Sequence, residues 1–167
     1  MAFMLQPVVP ADAHEIATVQ TSAWYDNPHW RFRWGDPSPE KMISCSAARF
    51  PWNLVNHREQ KRHQKVIETE SGEPVGYARW LLPPVLAEKN VWPEAGVAEP
   101  TEVERELFEK NCRTVEEDGR ILGAKTDGVI GCFSKPVEEA GARIMGDEPY
   151  LSELQVPIAL PEAKTRY

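Results

Sequence analysis

Four short stretches of this chain, bounded by prolines or a turn, read as strands, and in the last of them successive residues divide between two faces. The first runs from Phe3 to Val9 and stops at Pro10. Two more, Lys65–Thr69 and Val75–Leu82, are joined by Glu70-Ser71-Gly72-Glu73-Pro74, where Gly72 is free to take a positive backbone angle. Together they read as an antiparallel hairpin. The fourth, Tyr150–Val156, lies between Pro149 and Pro157. Its alternation sets Tyr150, Ser152, Leu154 and Val156 on one face and Leu151, Glu153 and Gln155 on the other.

Between the strands the apolar spacing becomes helical. Asp12 followed by Glu15 is an acidic form of the capping box, and Ile16, Val19, Ala23 and Trp24 continue a helix to about Tyr25. The aromatic and basic run Asn27–Gly35 breaks it. Ser38-Pro39-Glu40 starts a second helix, expected to reach about Arg49 and to be interrupted at Pro51. A charged helical piece is expected over 53–63. Thr101 with Glu104 is a capping box for a further helix, with Val103, Leu107, Phe108 and Val115 as its apolar stripe and Asp118-Gly119 as its end. Ser134 and Pro136 open one more, with Val137, Ala140, Ile144 and Met145 on its apolar face and Gly146 as its stop. The segment 83–100 reads as a proline-containing connection, and 119–133 as an insert or flexible loop.

A chain of 167 residues with 41% apolar and 27% charged residues reads as one globular domain, 1–167. Its net charge of −7 argues against a general nucleic-acid binder, which needs a basic surface. Packing is therefore the better account of Trp30, Phe32, Trp34, Arg31 and Arg33. No stretch has the roughly 20 apolar residues of a membrane span, and the first residues lack a signal-peptide pattern. Cys45, Cys112 and Cys132 are odd in number and widely spaced, as free thiols in a reducing compartment would be. The expected location is the cytosol, with the nucleus open to so small a chain. His57 and His63 are six residues apart among cations, which favours a solvated helix face over a metal site. Gly123, Gly128 and Gly131 match no phosphate-binding spacing.

Three local patterns, in this order, resemble the GNAT superfamily of N-acetyltransferases, and most of all its fungal small-enzyme branch. They are Asp12-Ala13-His14-Glu15-Ile16 with Ser22-Ala23-Trp24, the hairpin Glu73-Pro74-Val75-Gly76-Tyr77-Ala78-Arg79-Trp80, and Met145-Gly146 with Pro149-Tyr150-Leu151 and Leu154-Gln155-Val156. The resemblance covers roughly residues 3–156, apart from 119–133. It implies an α+β fold: a mixed, mainly antiparallel sheet flanked by helices, like the N-terminal half of a GNAT domain and incomplete at the C-terminus.

The same resemblance implies acetyl transfer from acetyl-CoA to a primary amine, carried by a small molecule or a protein. Glu153 becomes the candidate base, with a solvent-facing strand carboxylate as the equally weighted alternative. The amides of Leu154, Gln155 and Val156 match the strand that lines the acetyl group and pantetheine arm. Trp24, Trp30 and Tyr77 are candidates for the amine pocket, with core packing as the competing role for each. After Val156 the family pattern continues into a glycine loop that binds pyrophosphate. Here the residues are Pro157-Ile158-Ala159-Leu160-Pro161-Glu162-Ala163-Lys164-Thr165-Arg166-Tyr167, without a glycine. Impaired transfer is therefore expected, and the alternative is a non-catalytic GNAT remnant that binds another protein. A sheet open at its central strand is also expected to favour self-association.

Overall fold

A computed structural model describes residues 2–35, 37–117, 120–121, 136, 139–140, 143 and 152–155, the pairs and runs after 117 chiefly through their backbone. In chain order the elements are β1 (Phe3–Pro7), α1 (Ala13–Trp24), α2 (Pro28–Arg33), α3 (Pro39–Val55), β2 (Lys61–Glu68), β3 (Pro74–Leu81), α4 (Pro84–Glu88), α5 (Glu102–Arg113), β4 (Glu116–Glu117), β5 (Arg120–Ile121) and β6 (Ser152–Gln155). Among the described residues β1-β2-β3-β6 form one four-stranded sheet, and β4 with β5 a separate short pair. Every described pairing is antiparallel. The chain is an α+β protein, the expected class. Residues 119 and 122–133 lie outside the described set, as do Cys132 and most of the helix expected from 134.

The hairpin register positions everything else. Lys65 stands opposite Tyr77, His63 opposite Arg79 and Lys61 opposite Leu81, so these residues share one face. Helices α1 and α3 pack together and α1 packs on β3. Between the layers Val8, Ile16, Phe50, Leu54, Val55, Tyr77 and Val97 form a buried cluster, with Ala13, Trp52 and Phe108 against it. Gly72 takes φ of 73° in the hairpin turn, as its position required.

Five local expectations are corrected. Asp12 ends a short 3-10 turn and makes no side-chain cap for α1. Its carboxylate instead accepts the Val9 N–H at 2.8 Å and the Lys65 ammonium at 2.7 Å. A buried lysine opposite Tyr77 needs a counter-charge more than the helix start needs a cap. Second, the aromatic run contains the short helix α2, started by the Asn27 side chain accepting the Trp30 N–H at 3.2 Å. Third, α3 continues through Pro51 to Val55. A proline removes one helical hydrogen bond, and burial of Phe50, Leu54 and Val55 on either side holds the turn.

The fourth correction concerns 53–63. The helix ends at Val55, a turn follows, and β2 starts at Lys61. His57 sits in the turn at φ of 56°, whereas His63 is a strand residue only 1% exposed. Arg62, also buried, explains the turn. Its guanidinium donates to the carbonyls of Glu59 (3.1 Å), Lys61 (2.8 Å) and Val91 (3.0 Å) and to Asn90 Oδ1 (3.2 Å). That many acceptors around one buried cation fold 58–61 and 90–91 about it. Fifth, α5 has its Thr101–Glu104 capping box but ends at Arg113, and Val103 and Leu107 on the expected stripe are 76% and 51% exposed. Its inward side is Phe108 and Cys112.

Leu54 is fully buried at the centre of the helix–sheet core. Leu54→Ala is expected to lower stability by roughly 2–5 kcal/mol. Urea unfolding followed by circular dichroism reads this, and a loss under about 1 kcal/mol would contradict this placement of the core.

Candidate functional site

The face of β2 and β3 beneath the helices is unusual in carrying Lys61, His63, Lys65 and Arg79. Three of the four are compensated locally. Lys65 pairs with Asp12. Lys61 donates to the carbonyls of Asn53 (3.0 Å) and Asn56 (2.6 Å), where the C-terminus of α3 concentrates negative dipole. Its ammonium pKa is lowered, chiefly by burial and then by the charge of Arg79.

His63 is compensated by staying neutral. Burial, then the charges of Arg79, Lys61 and Arg62, push its pKa down to about 3. Its Nδ1 lies 2.9 Å from the Tyr77 hydroxyl oxygen, while Nε2 is buried without a hydrogen-bond partner. A buried N–H without an acceptor is costlier than a bare lone pair. The tautomer sets the direction: Nδ1–H donates to Tyr77 Oη, or the phenol donates to Nδ1 and Nε2 carries the ring hydrogen. Burial raises the Tyr77 pKa, opposed by Arg79, so the phenol stays protonated.

Beside this pair lies a cavity of about 140 Å³. Trp24 at the end of α1 and Trp30 and Trp34 from α2 and its exit form aromatic walls. The rings of Trp30 and Trp34 lie 5.7 Å apart at 55°. Helix α3 adds Ser46, Arg49, Phe50 and Asn53, α1 adds Gln20, and β3 adds Tyr77 and Arg79. Phe50 meets Tyr77 edge-on, with centroids 5.4 Å apart, which holds the phenol ring in place. Arg49 is ion-paired with Glu116, a pair largely screened from solvent. The partly buried Arg79 differs. Its Nε is buried without a hydrogen-bond partner, and no carboxylate of the described residues pairs with it.

Trp24, Trp30 and Tyr77, expected from separate parts of the sequence, are thus brought to one cavity. Glu153 stands at the register position of Trp80, and Gln155 at that of Arg79. A shift of register between Arg79 and Trp80 leaves Leu154 as the extra residue between them. Val156 lies outside the described residues. Sequence reasoning missed Arg79, Arg49, Trp34 and His63. Arg79 had a signal, since it falls two residues after Tyr77 and so shares its strand face. His63 had none, because the charged run concealed the start of β2.

His57 and His63 do not meet, and among the described residues no group of three or more His, Cys, Asp or Glu could hold a metal ion. Cys45 and Cys112 are buried free thiols. No helix among the described residues is long and apolar enough to cross a membrane. No family model, curated protein or solved structure matches the chain.

The buried His63 generates a pH dependence of stability. Its folded pKa lies below the ordinary value of 6.5, so the unfolded chain binds the extra proton. Its contribution is complete above about pH 6.5 and is lost as pH falls toward about 3. Unfolding free energies measured between pH 7 and pH 4 are expected to fall more steeply in the wild type than in His63→Gln. Parallel slopes would count against a neutral, buried His63. Tyr77→Phe removes the buried hydrogen bond with His63 Nδ1 and is expected to cost about 1–3 kcal/mol at neutral pH.

Proposed function

We propose that this chain carries the acceptor half of an N-acetyltransferase site of the GNAT type and transfers acetyl from acetyl-CoA to a primary amine. The convergence of Trp24, Trp30 and Tyr77 on one cavity beside β3, the strand that pairs with β6, carries this reading. The antiparallel order β1-β2-β3-β6, with α1 and α3 packed together and α1 on β3, is in keeping with it.

In such a reaction the neutral amine attacks the thioester carbonyl carbon. The C–N bond forms, the C–S bond breaks, and the thiolate leaves and takes a proton. The new ammonium nitrogen must lose its proton to a base, and Glu153 is the candidate. Backbone amides of 154–156 are the candidate donors to the developing oxyanion. Aromatic walls would hold the body of the acceptor and exclude water from its amine, which favours the uncharged, nucleophilic form.

A second reading has its own observation. Pro157–Tyr167 contains no glycine and two prolines, a poor source of the consecutive amides that bind a pyrophosphate. That favours a non-catalytic relative of the same domain that interacts with another protein. The apolar residues Phe3 and Leu5 on the outer strand β1 are 58% and 63% exposed and are the candidate contact for a partner or a second copy.

Calorimetric titration of the 167-residue chain with acetyl-CoA separates the two. Saturable binding, followed by thiol release with a panel of primary amines, is the outcome expected of an enzyme. Glu153→Gln should then retain binding and lose roughly a hundredfold or more in kcat. A folded chain that binds no acetyl-CoA would leave the interaction role.

A further inference from the structure

We propose that the cavity between α1, α2, α3 and β3 takes a small carboxylate-bearing amine, its carboxylate paired with the guanidinium of Arg79. This names a substrate class for the acceptor site and rests on that reading of the cavity.

Charge accounting on the sheet face leads to the carboxylate. Lys65 has Asp12, Lys61 has the carbonyls at the end of α3, Arg49 has Glu116, and His63 is neutral. Arg79 lines the cavity with a buried Nε that no hydrogen-bond acceptor meets. A guanidinium N–H removed from water without an acceptor is costly, and one at an open cavity is relieved by an anion entering it. One positive charge left unmatched among the described side chains suits a monoanion better than a doubly charged phosphate. The planar fork of a guanidinium also fits the two oxygens of a carboxylate.

The rest of the wall sets the body of the ligand. Trp24, Trp30, Trp34 and Phe50 present flat apolar surfaces. A space of about 140 Å³ is close to the roughly 150 Å³ that admits a benzene-sized ring. Tyr77 also lines the cavity, and its hydroxyl offers a further polar contact. The ligand that satisfies these walls is small, has one ring or an equivalent apolar body, and bears one carboxylate.

Binding can be tested without acetyl-CoA or turnover. The probes are 3-phenylpropanoate and its neutral analogue 3-phenylpropanamide, titrated into the full chain and followed by quenching of tryptophan fluorescence and by calorimetry. The carboxylate is expected to bind roughly 10- to 100-fold more tightly than the amide. Arg79→Met should abolish that preference while circular dichroism shows the fold retained, and Arg79→Lys should keep part of it. Equal affinities in the wild type, no binding of either probe, or an undiminished preference in Arg79→Met would overturn the proposal. Tighter binding of phenyl phosphate than of 3-phenylpropanoate would overturn the choice of a monocarboxylate. The wild-type comparison stands by itself should both variants fail to fold. Carboxylate binding without acetyl-CoA binding would remove acetyl transfer and leave the ligand class. Acetylation of benzylamine and phenylalanine at equal rates would do the reverse.

Discussion

Charged side chains on the covered face of the central hairpin constrain the whole molecule. Placing Lys61, His63, Lys65 and Arg79 under two helices would be ruinous if each kept an unopposed charge. The fold answers position by position. Asp12 turns away from capping α1 to meet Lys65. The end of α3 stops where its carbonyls meet Lys61. His63 gives up its charge and binds Tyr77. Only Arg79 finds no such answer among the described residues, and it faces a cavity.

The other face of the same strands uses a different solution. Arg62 is enclosed by main-chain carbonyls from its own turn and from 91, with Asn90 completing the set. Trp80 packs near Trp92, 6.0 Å between rings, and Trp92 adopts a left-handed backbone with φ of 60°. A bulky residue in that conformation is strained, and it persists because the ring contact and the Arg62 acceptors just before it, Asn90 and Val91, hold the loop. This loop anchors the strand pair from behind while α1 and α3 cover it in front. The hairpin is thereby a fixed floor on which Tyr77 and Arg79 are presented two residues apart.

The function proposed here depends on that floor and on α2. A six-residue helix has little stability of its own, and its place comes from the Asn27 cap and from aromatic packing. Trp30 and Trp34 contribute aromatic walls of the cavity. The acceptor wall is thus built from tertiary contacts, whereas the candidates Glu153, Leu154 and Gln155 belong to the short strand β6.

Sequence alone determined the α+β class, the first strand, the hairpin with its Gly72 turn, the start of α1 and the capped starts of α3 and α5. Each rests on short-range physics: apolar period, hydroxyl caps, and backbone angles open to glycine. Trp24, Trp30 and Tyr77 were legible as candidate pocket residues, but nothing local said that they would meet. Tertiary structure decided what local signals misjudged. It carried α3 past Pro51, turned the charged run before His63 into a strand, and redirected Asp12 from a cap to an ion pair. In each case burial outweighed propensity, because a core contact or a buried charge is worth more than one cap or one helical hydrogen bond. Arg79 became a candidate only when every other cation on its face was matched to a partner, and those partners range from five to 53 residues away in the chain.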